Sequence, residues 1–328
     1  MKSKIKKINN VKNSFFHGVM FHHVHDGKKY LKSYGSISKN KFEKIIKYIG
    51  KENILTPDEF VQGYYLKSLK KNNVCLTFDD GLKCHKDIVL KILEKHNLKG
   101  LFFVYTSIFD KNPNFFGCFS EFTSKYYKNI DLFYKDFFST LHNYFLKINI
   151  SSFLNKNKKK ILKIKKIYSF YSIQDIKFRL IRDYFLNPIQ YEKLIIKMYK
   201  KKKFKYKKFM KKIYLSKKDI KNMSKKGHSF GLHSHDHSTT LDNKTMKYQL
   251  NDFKKNYSIL KKITKIDPIF SSYPLGRYNR NSINVQKKLN IKMSFRANNK
   301  KNNLILSKKI NGSKFEISRL DCNKIKIN

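Results

Sequence analysis

The run Val74-Cys75-Leu76-Thr77-Phe78-Asp79-Asp80-Gly81 restricts the fold more than any other part of this chain. Apolar and β-branched residues without interruption make a strand buried on both faces, and the glycine ends it, so two carboxylates are delivered to a strand end inside an α/β arrangement. Neighbouring positions on a strand point in different directions, so one carboxylate can bind an ion while the other stays free as a base. About 150 residues later stands His233-Ser234-His235-Asp236-His237, whose outer histidines, four apart, can face one ion from a single turn or tight loop. Two histidines and a carboxylate are a standard set for a catalytic metal that keeps positions open for substrate.

Strand-like and helix-like segments alternate on both flanks, which predicts a parallel α/β architecture. Gly18 to Val24 reads as a strand. Lys39 to Ile49 reads as a helix with Phe42, Ile45, Ile46 and Ile49 on one face and Ser38 as its cap. Lys86 to Lys95 reads as a helix showing Ile88, Val89, Ile92 and Leu93, and Gly100 to Thr106 as the next strand. The same unit returns at Ser216, which forms a capping box with Asp219, and Gly227 suits the position just beyond that helix. Ser229 to Leu232, Ile269 to Tyr273 and Lys292 to Phe295 read as further strands. Between them lie a helical stripe of Met246, Leu250, Phe253, Tyr257 and Leu260, and a helix from Ile283 to Leu289. Residues 111–213 have another texture, crowded with Phe, Tyr and Lys, and read as a helical insertion: a lid or substrate-binding subdomain, or an elaboration packed on the main fold.

The 328 residues carry a formal net charge of +50, which invites a nucleic-acid reading, but only six of the 73 basic residues are arginine. Arginine is the fork that grips phosphate and reads guanine edges, so specific nucleic-acid recognition is not expected. Abundant Lys, Asn, Ile and Phe with no Trp fit the drift of an AT-rich genome, and leave peripheral contact with an anionic membrane surface as the residual role for the charge. Cys75, Cys84, Cys118 and Cys322 form no C-x-x-C pair and read as reduced thiols. The first apolar stretch, Phe15 to Phe21, is interrupted by His17 and is short for a signal or membrane segment, so a cytoplasmic location is expected.

Three further segments carry a family likeness. Gly227-His228-Ser229-Phe230-Gly231-Leu232-His233-Ser234-His235-Asp236-His237 matches G-H-x-I-G-x-H-[ST]-x-x-H except for Phe230, Tyr273-Pro274-Leu275-Gly276 matches Y-P-x-G, and Met20-Phe21-His22-His23-Val24 approaches M-Y-H-x-V. With T-F-D-D-G, they resemble the polysaccharide deacetylases (carbohydrate esterase family 4, the NodB-homology domain), in the variant with an N-terminal catalytic histidine motif. The resemblance covers Phe15 to Thr106 and Tyr214 to Asp321. It implies a distorted (β/α) barrel split between 15–110 and 214–322, with the helical insertion at 111–213 and flexible basic tails at 1–14 and 323–328.

It also implies roles. Asp79 would be the base, and Asp80, His233 and His237 the ligands of one divalent ion, zinc by default with cobalt, nickel or manganese as replacements. The loop with Tyr273 and Pro274 would wall the site, a backbone N–H at Tyr273 holding the oxyanion. His22 would be the acid, with His23 and His25 as competitors. Arg319, in Ser318-Arg319-Leu320-Asp321, resembles the arginine of an L-P-R-I-[DN] strand and would orient Asp79, unless it is a salt-bridged surface residue. His235 would be solvated or stand behind the ligands, and His228 would pack at a strand end. The family's R-x-P-Y arginine, its Leu-x-His and its D-x-x-D-W are missing. The implied reaction is metal-dependent N-deacetylation of an N-acetylated saccharide, an intermediate of surface polysaccharide. A carbohydrate-binding barrel without turnover and a basic membrane- or nucleic-acid-binding module are the rival readings.

Overall fold

The computed structural model describes residues 16–110, 118–144, 149–167, 171–297 and 310–327. The tail expected at 1–14 lies outside them. The chain forms two compact units, Met1–Asn114 with Lys212–Asn328, and Phe115–Lys211.

The first unit is a nearly closed parallel barrel. Its strands are β1 (His17–Phe21), β4 (Ile54–Leu55), β5 (Val74–Phe78), β6 (Leu101–Val104), β7 (Ser229–Leu232), β8 (Phe270–Ser272), β9 (Met293–Phe295) and β10 (Arg319–Asp321); β2 (Val24–His25) and β3 (Ile37–Ser38) make a separate parallel pair. The order is β10-β1-β5-β6-β7-β8-β9, every pairing parallel, with β4 added alongside the start of β5. A bridge between Phe295 and Ile317 carries β9 toward β10 and draws the sheet round on itself. Parallel strands require crossovers, and the helices Lys39–Ile49, Pro57–Tyr65, Lys217–Lys225, Met246–Thr264 and Arg280–Lys288 lie in those connections.

Local signals place these elements. Ser38 Oγ accepts the Lys41 N–H, and Thr56 with Glu59 and Ser216 with Asp219 form capping boxes, so each helix start has partners for its exposed amides. The strand expected over Gly18 to Val24 is shorter: the ladder stops at Phe21, whose partner Phe78 is the last residue of β5, and the chain re-forms an extended pair only at Val24. The helix Met246–Thr264 also turns a different face inward than its apolar stripe predicts. Gln249, Asp252 and Asn256 are buried with Phe253, Leu260 and Ile263, whereas Met246, Leu250 and Tyr257 are only partly covered.

The second unit is helical, from Cys118–Tyr126 and Ile130–Tyr144 through Pro188–Lys201. Its core is a mesh of rings, with Phe122, Phe133, Phe137, Phe178 and Tyr199 buried together. Phe178 meets Phe137 edge-on at 4.8 Å and stacks on Phe119 at 5.7 Å. All four cysteines are free and buried. Among the described residues no helix is long and apolar enough to cross a membrane.

Candidate active site

The carboxyl ends of β1, β5, β7 and β8 bring His22, Asp79 and Asp80, His233 and Tyr273 to one rim of the barrel. Asp79 continues β5 by donating its N–H to Phe21 O at 3.0 Å. At Asp80 the backbone swings to φ 74°, followed by Gly81 at φ 63°, so the two adjacent carboxylates leave the chain in different directions. Both are buried.

Asp80, His233 and His237 converge, their donor atoms all within 4.8 Å of one another. The Nε2 atoms of His233 and His237 lie 3.5 and 3.3 Å from Asp80 Oδ1. Two atoms each about 2.1 Å from one ion at tetrahedral angles stand about 3.4 Å apart, so these residues fit a shared cation. Two further observations agree with that fit. Asp80 Oδ1 is buried without a hydrogen-bond partner, and His233 donates its Nδ1–H to Ser272 O at 2.9 Å, which leaves the Nε2 lone pair facing the cluster. Burial opposes the charge on Asp80, but the adjacent His233 and His237 rings outweigh it and hold its carboxyl well below the usual range.

The histidine loop is fixed by polar groups that the sequence reading did not single out. Ser234 and His237 both have left-handed backbone, at φ 59° and 52°, and Ser234 Oγ accepts the His237 N–H at 2.9 Å. Asp252 Oδ1 accepts the N–H groups of His235 and Asp236 at 3.2 and 2.8 Å. Asn256 accepts the His233 N–H at 2.9 Å and donates to Val104 O at 2.9 Å, tying the loop to β6. The only trace of these roles in the sequence is polar residues recurring at helical spacing beside the apolar stripe.

Asp79 belongs to a second cluster. Arg319 grips it with both arms, Nη1 to Oδ1 at 2.6 Å and Nη2 to Oδ2 at 2.8 Å, and Nη2 also donates to Ser272 Oγ at 2.7 Å. Arg319 is buried, not a surface arginine, and its Nε donates to Arg296 O at 3.1 Å. The side chain reaches Asp79 by crossing Gly18, its register partner; a Cβ at Gly18 would stand 2.9 Å from Arg319 Cγ. Burial pushes the Asp79 carboxyl up, but the charges of Arg319, His233 and His22 win and keep it below the ordinary range. Ser272 therefore touches both clusters, through its carbonyl to a candidate ligand and through its hydroxyl to the arginine behind the base.

Of the N-terminal histidines, His22 is the one that faces Asp79, its Nε2 3.8 Å from Oδ2 and its side chain 41% exposed. His25 is engaged with Ser36 Oγ at 2.9 Å. His23 is partly covered, and burial pulls its ring down to about 4.

The third loop departs from expectation at one atom. Tyr273 is fully buried, its ring stacked on Tyr278 and its hydroxyl donating to Phe315 O, and its backbone N–H is spent on Phe295 O at 3.2 Å, so it has no N–H to offer an oxyanion. Pro274, buried beside it, has none to give. Gly276 and Arg277 donate back to Tyr273 O and Pro274 O, while Leu275, between Pro274 and Gly276, sits at φ 53°. His235 is buried and not solvated: Asp110 accepts from its Nε2 at 3.0 Å and Thr106 Oγ1 meets its Nδ1 at 2.9 Å. His228 packs at the strand start, accepting the Gly100 N–H at 3.1 Å and lying edge-on to Phe102.

A parallel barrel with its ionisable groups gathered on the carboxyl rim is the arrangement of an α/β-barrel enzyme. The profile of the polysaccharide deacetylase family matches residues 67–121 and 187–294, which include Asp79, Asp80, His233, His237 and the Tyr273-Pro274 loop but neither His22 nor Arg319. The chain belongs to the polysaccharide deacetylase family, and is thereby a hydrolase of the deacetylase type. Among solved structures, it is similar to the Streptococcus pyogenes deacetylase PplD in complex with acetate (16% identity, TM-score 0.52, 94% of this chain and 93% of that one). It is also similar to IcaB from Ammonifex degensii (14%, TM-score 0.53, 94% and 91%) and to the BpsB deacetylase domain from Bordetella bronchiseptica (13%, TM-score 0.51, 93% and 96%). At these identities the likeness concerns the fold. Among curated proteins no sequence match reaches significance.

Proposed function

We propose that this protein is a metal-dependent amide hydrolase that removes acetyl groups from an N-acetylated saccharide, an intermediate of bacterial surface polysaccharide. The observation that carries the reading is the pairing of two clusters: an Asp80-His233-His237 set with the spacing of a cation site, and beside it Asp79, held by Arg319 and facing His22. A divalent ion in that set, zinc by default, supplies Lewis acidity toward the acetyl carbonyl and makes water a stronger acid. Asp79, kept ionised by Arg319, takes the proton from the attacking water. Arg319 and Ser272 aim its carboxylate, so the base enters the reaction already oriented. His22, half exposed at the rim, carries a proton to the departing amine. Leu275 N–H is the donor we assign to the oxyanion, since the N–H groups of Tyr273, Gly276 and Arg277 are engaged and Pro274 has none.

The reading is tested by acetate release from an N-acetylglucosamine oligomer, with and without a chelator, for the wild type and Asp80→Ala. We expect chelator and substitution each to bring turnover to background, and the variant to lose zinc uptake as well. Saccharide binding without chelator-sensitive acetate release would instead favour a carbohydrate-binding barrel.

A further inference from the structure

One fully buried histidine near the rim belongs to neither cluster. His85 opens the wide π turn His85–Val89 that follows Asp79-Asp80-Gly81, and its ring lies against the stacked pair Phe78 and Phe102, at 5.5 and 5.9 Å. A residue needed only to fill that space would be apolar, since an imidazole there loses its hydration. What offsets the loss is one hydrogen bond, from Nε2 to the backbone carbonyl of His22 at 2.9 Å. A carbonyl can only accept, so the proton sits on Nε2 and Nδ1 is a bare lone pair; Nδ1 is buried with no hydrogen-bond partner, consistent with a neutral ring.

The placement of that bond matters. The β1 ladder ends at Phe21, whose carbonyl is taken by the Asp79 N–H, and β5 has already turned away, so the sheet has no donor left for His22 O. His85 supplies the missing donor from the side. The carbonyl fixes the peptide plane at His22, and this plane sets where the His22 imidazole stands over Asp79.

We propose that His85 is a positioning residue for His22: by donating its Nε2–H to the His22 carbonyl it holds the proton donor in line with Asp79 and the leaving amine. This rests on the reading of His22 as the acid, and the experiment separates the two. The zinc-loaded full chain is assayed on an N-acetylglucosamine oligomer, whose amine must be protonated to leave, and on 4-nitrophenyl acetate, whose nitrophenolate leaves without a proton. His22→Ala, His85→Leu and His85→Gln are compared with the wild type, and zinc affinity is measured for each.

His22→Ala should slow the oligomer by about 10² to 10⁴-fold while slowing the ester little, the size of effect that general acids supply. His85→Leu should show the same split at on the order of 10²-fold in kcat, with KM and zinc affinity unchanged, as expected for an acid displaced by about 1 Å. His85→Gln, which keeps a donor, should recover most of the oligomer rate. If His22→Ala slows both probes alike, His22 is not the acid and the underlying reading falls. If His22→Ala gives the split but His85→Leu slows both probes alike or weakens zinc binding, His85 is packing only and the proposal is overturned. Should His85→Leu fail to fold, His85→Gln decides: a folded Gln variant with both rates equally reduced overturns it.

Discussion

In the barrel unit the fully buried set includes Arg319, Arg296, Asp79, His85 and His233, whereas the helical unit closes around Phe122, Phe133, Phe137 and Phe178 and has Asp175 as its one buried carboxylate among the described residues. The two kinds of interior respond differently to change. A buried charge depends on a particular partner at a particular angle, and removing that partner leaves an orphan. A mesh of rings depends on volume and accepts a substitute of similar size. Damage to the barrel interior should therefore appear in turnover as well as stability, and damage to the helical interior in stability alone.

Arg319→Leu is the strongest test of that contrast. It strands Asp79 in a buried position, so urea unfolding should show a loss of about 3–5 kcal/mol, and acetate release should fall even where the variant is folded. A loss below about 1 kcal/mol would mean that the barrel interior behaves like the ring mesh.

Asp252 sharpens the contrast through pH. Burial, aided by the charge of Asp236, raises its carboxyl to about 6 against the two N–H groups it accepts. A carboxyl more easily protonated when folded than when unfolded adds stability below about pH 4 and loses it as pH rises through about 6. The wild type should thus lose on the order of 2 kcal/mol of unfolding free energy between pH 4 and 7 from this group, and Asp252→Asn should flatten that slope.

Gly18→Ala puts a methyl group against Arg319 Cγ. The expected cost is about 1–3 kcal/mol, with turnover falling further than stability because the arginine must shift off Asp79. Smallest is Phe178→Leu in the helical unit, at less than about 1.5 kcal/mol with zinc affinity unchanged. A drop in zinc affinity there would break the separation of the two interiors.

Much of the fold could be read from local chemistry. The helix Lys39–Ile49 follows from its Ser38 cap and four inward apolar residues, and β5 from an uninterrupted apolar run, because each signal is complete within a few residues. The convergence of Asp80, His233 and His237 was legible for the same reason: their motifs carry residue types at spacings that can meet at one point. The supports were not. Asp252 and Asn256 act on backbone groups of other elements, and a polar residue that will cap a distant loop looks in sequence like any solvated helix position; Ser272 acts through its own carbonyl and hydroxyl on side chains from two other elements. Apolar periodicity placed Met246, Leu250 and Tyr257 inward because it cannot weigh a buried hydrogen bond against a buried methyl group. His85 escaped for a related reason, since its one hydrogen bond goes to a carbonyl on another element, His22 O, and leaves no mark in the sequence. The Tyr273 assignment failed on a single amide, whose engagement by Phe295 depends on β9 lying alongside.

Because β1 pairs with both β5 and β10, segments made early and late in synthesis meet side by side, and the arginine that steadies Asp79 arrives on the later one. Under the proposed function, Asp79 gains its orienting partner only once residue 319 has been made and docked, so turnover waits on the last strand of the barrel.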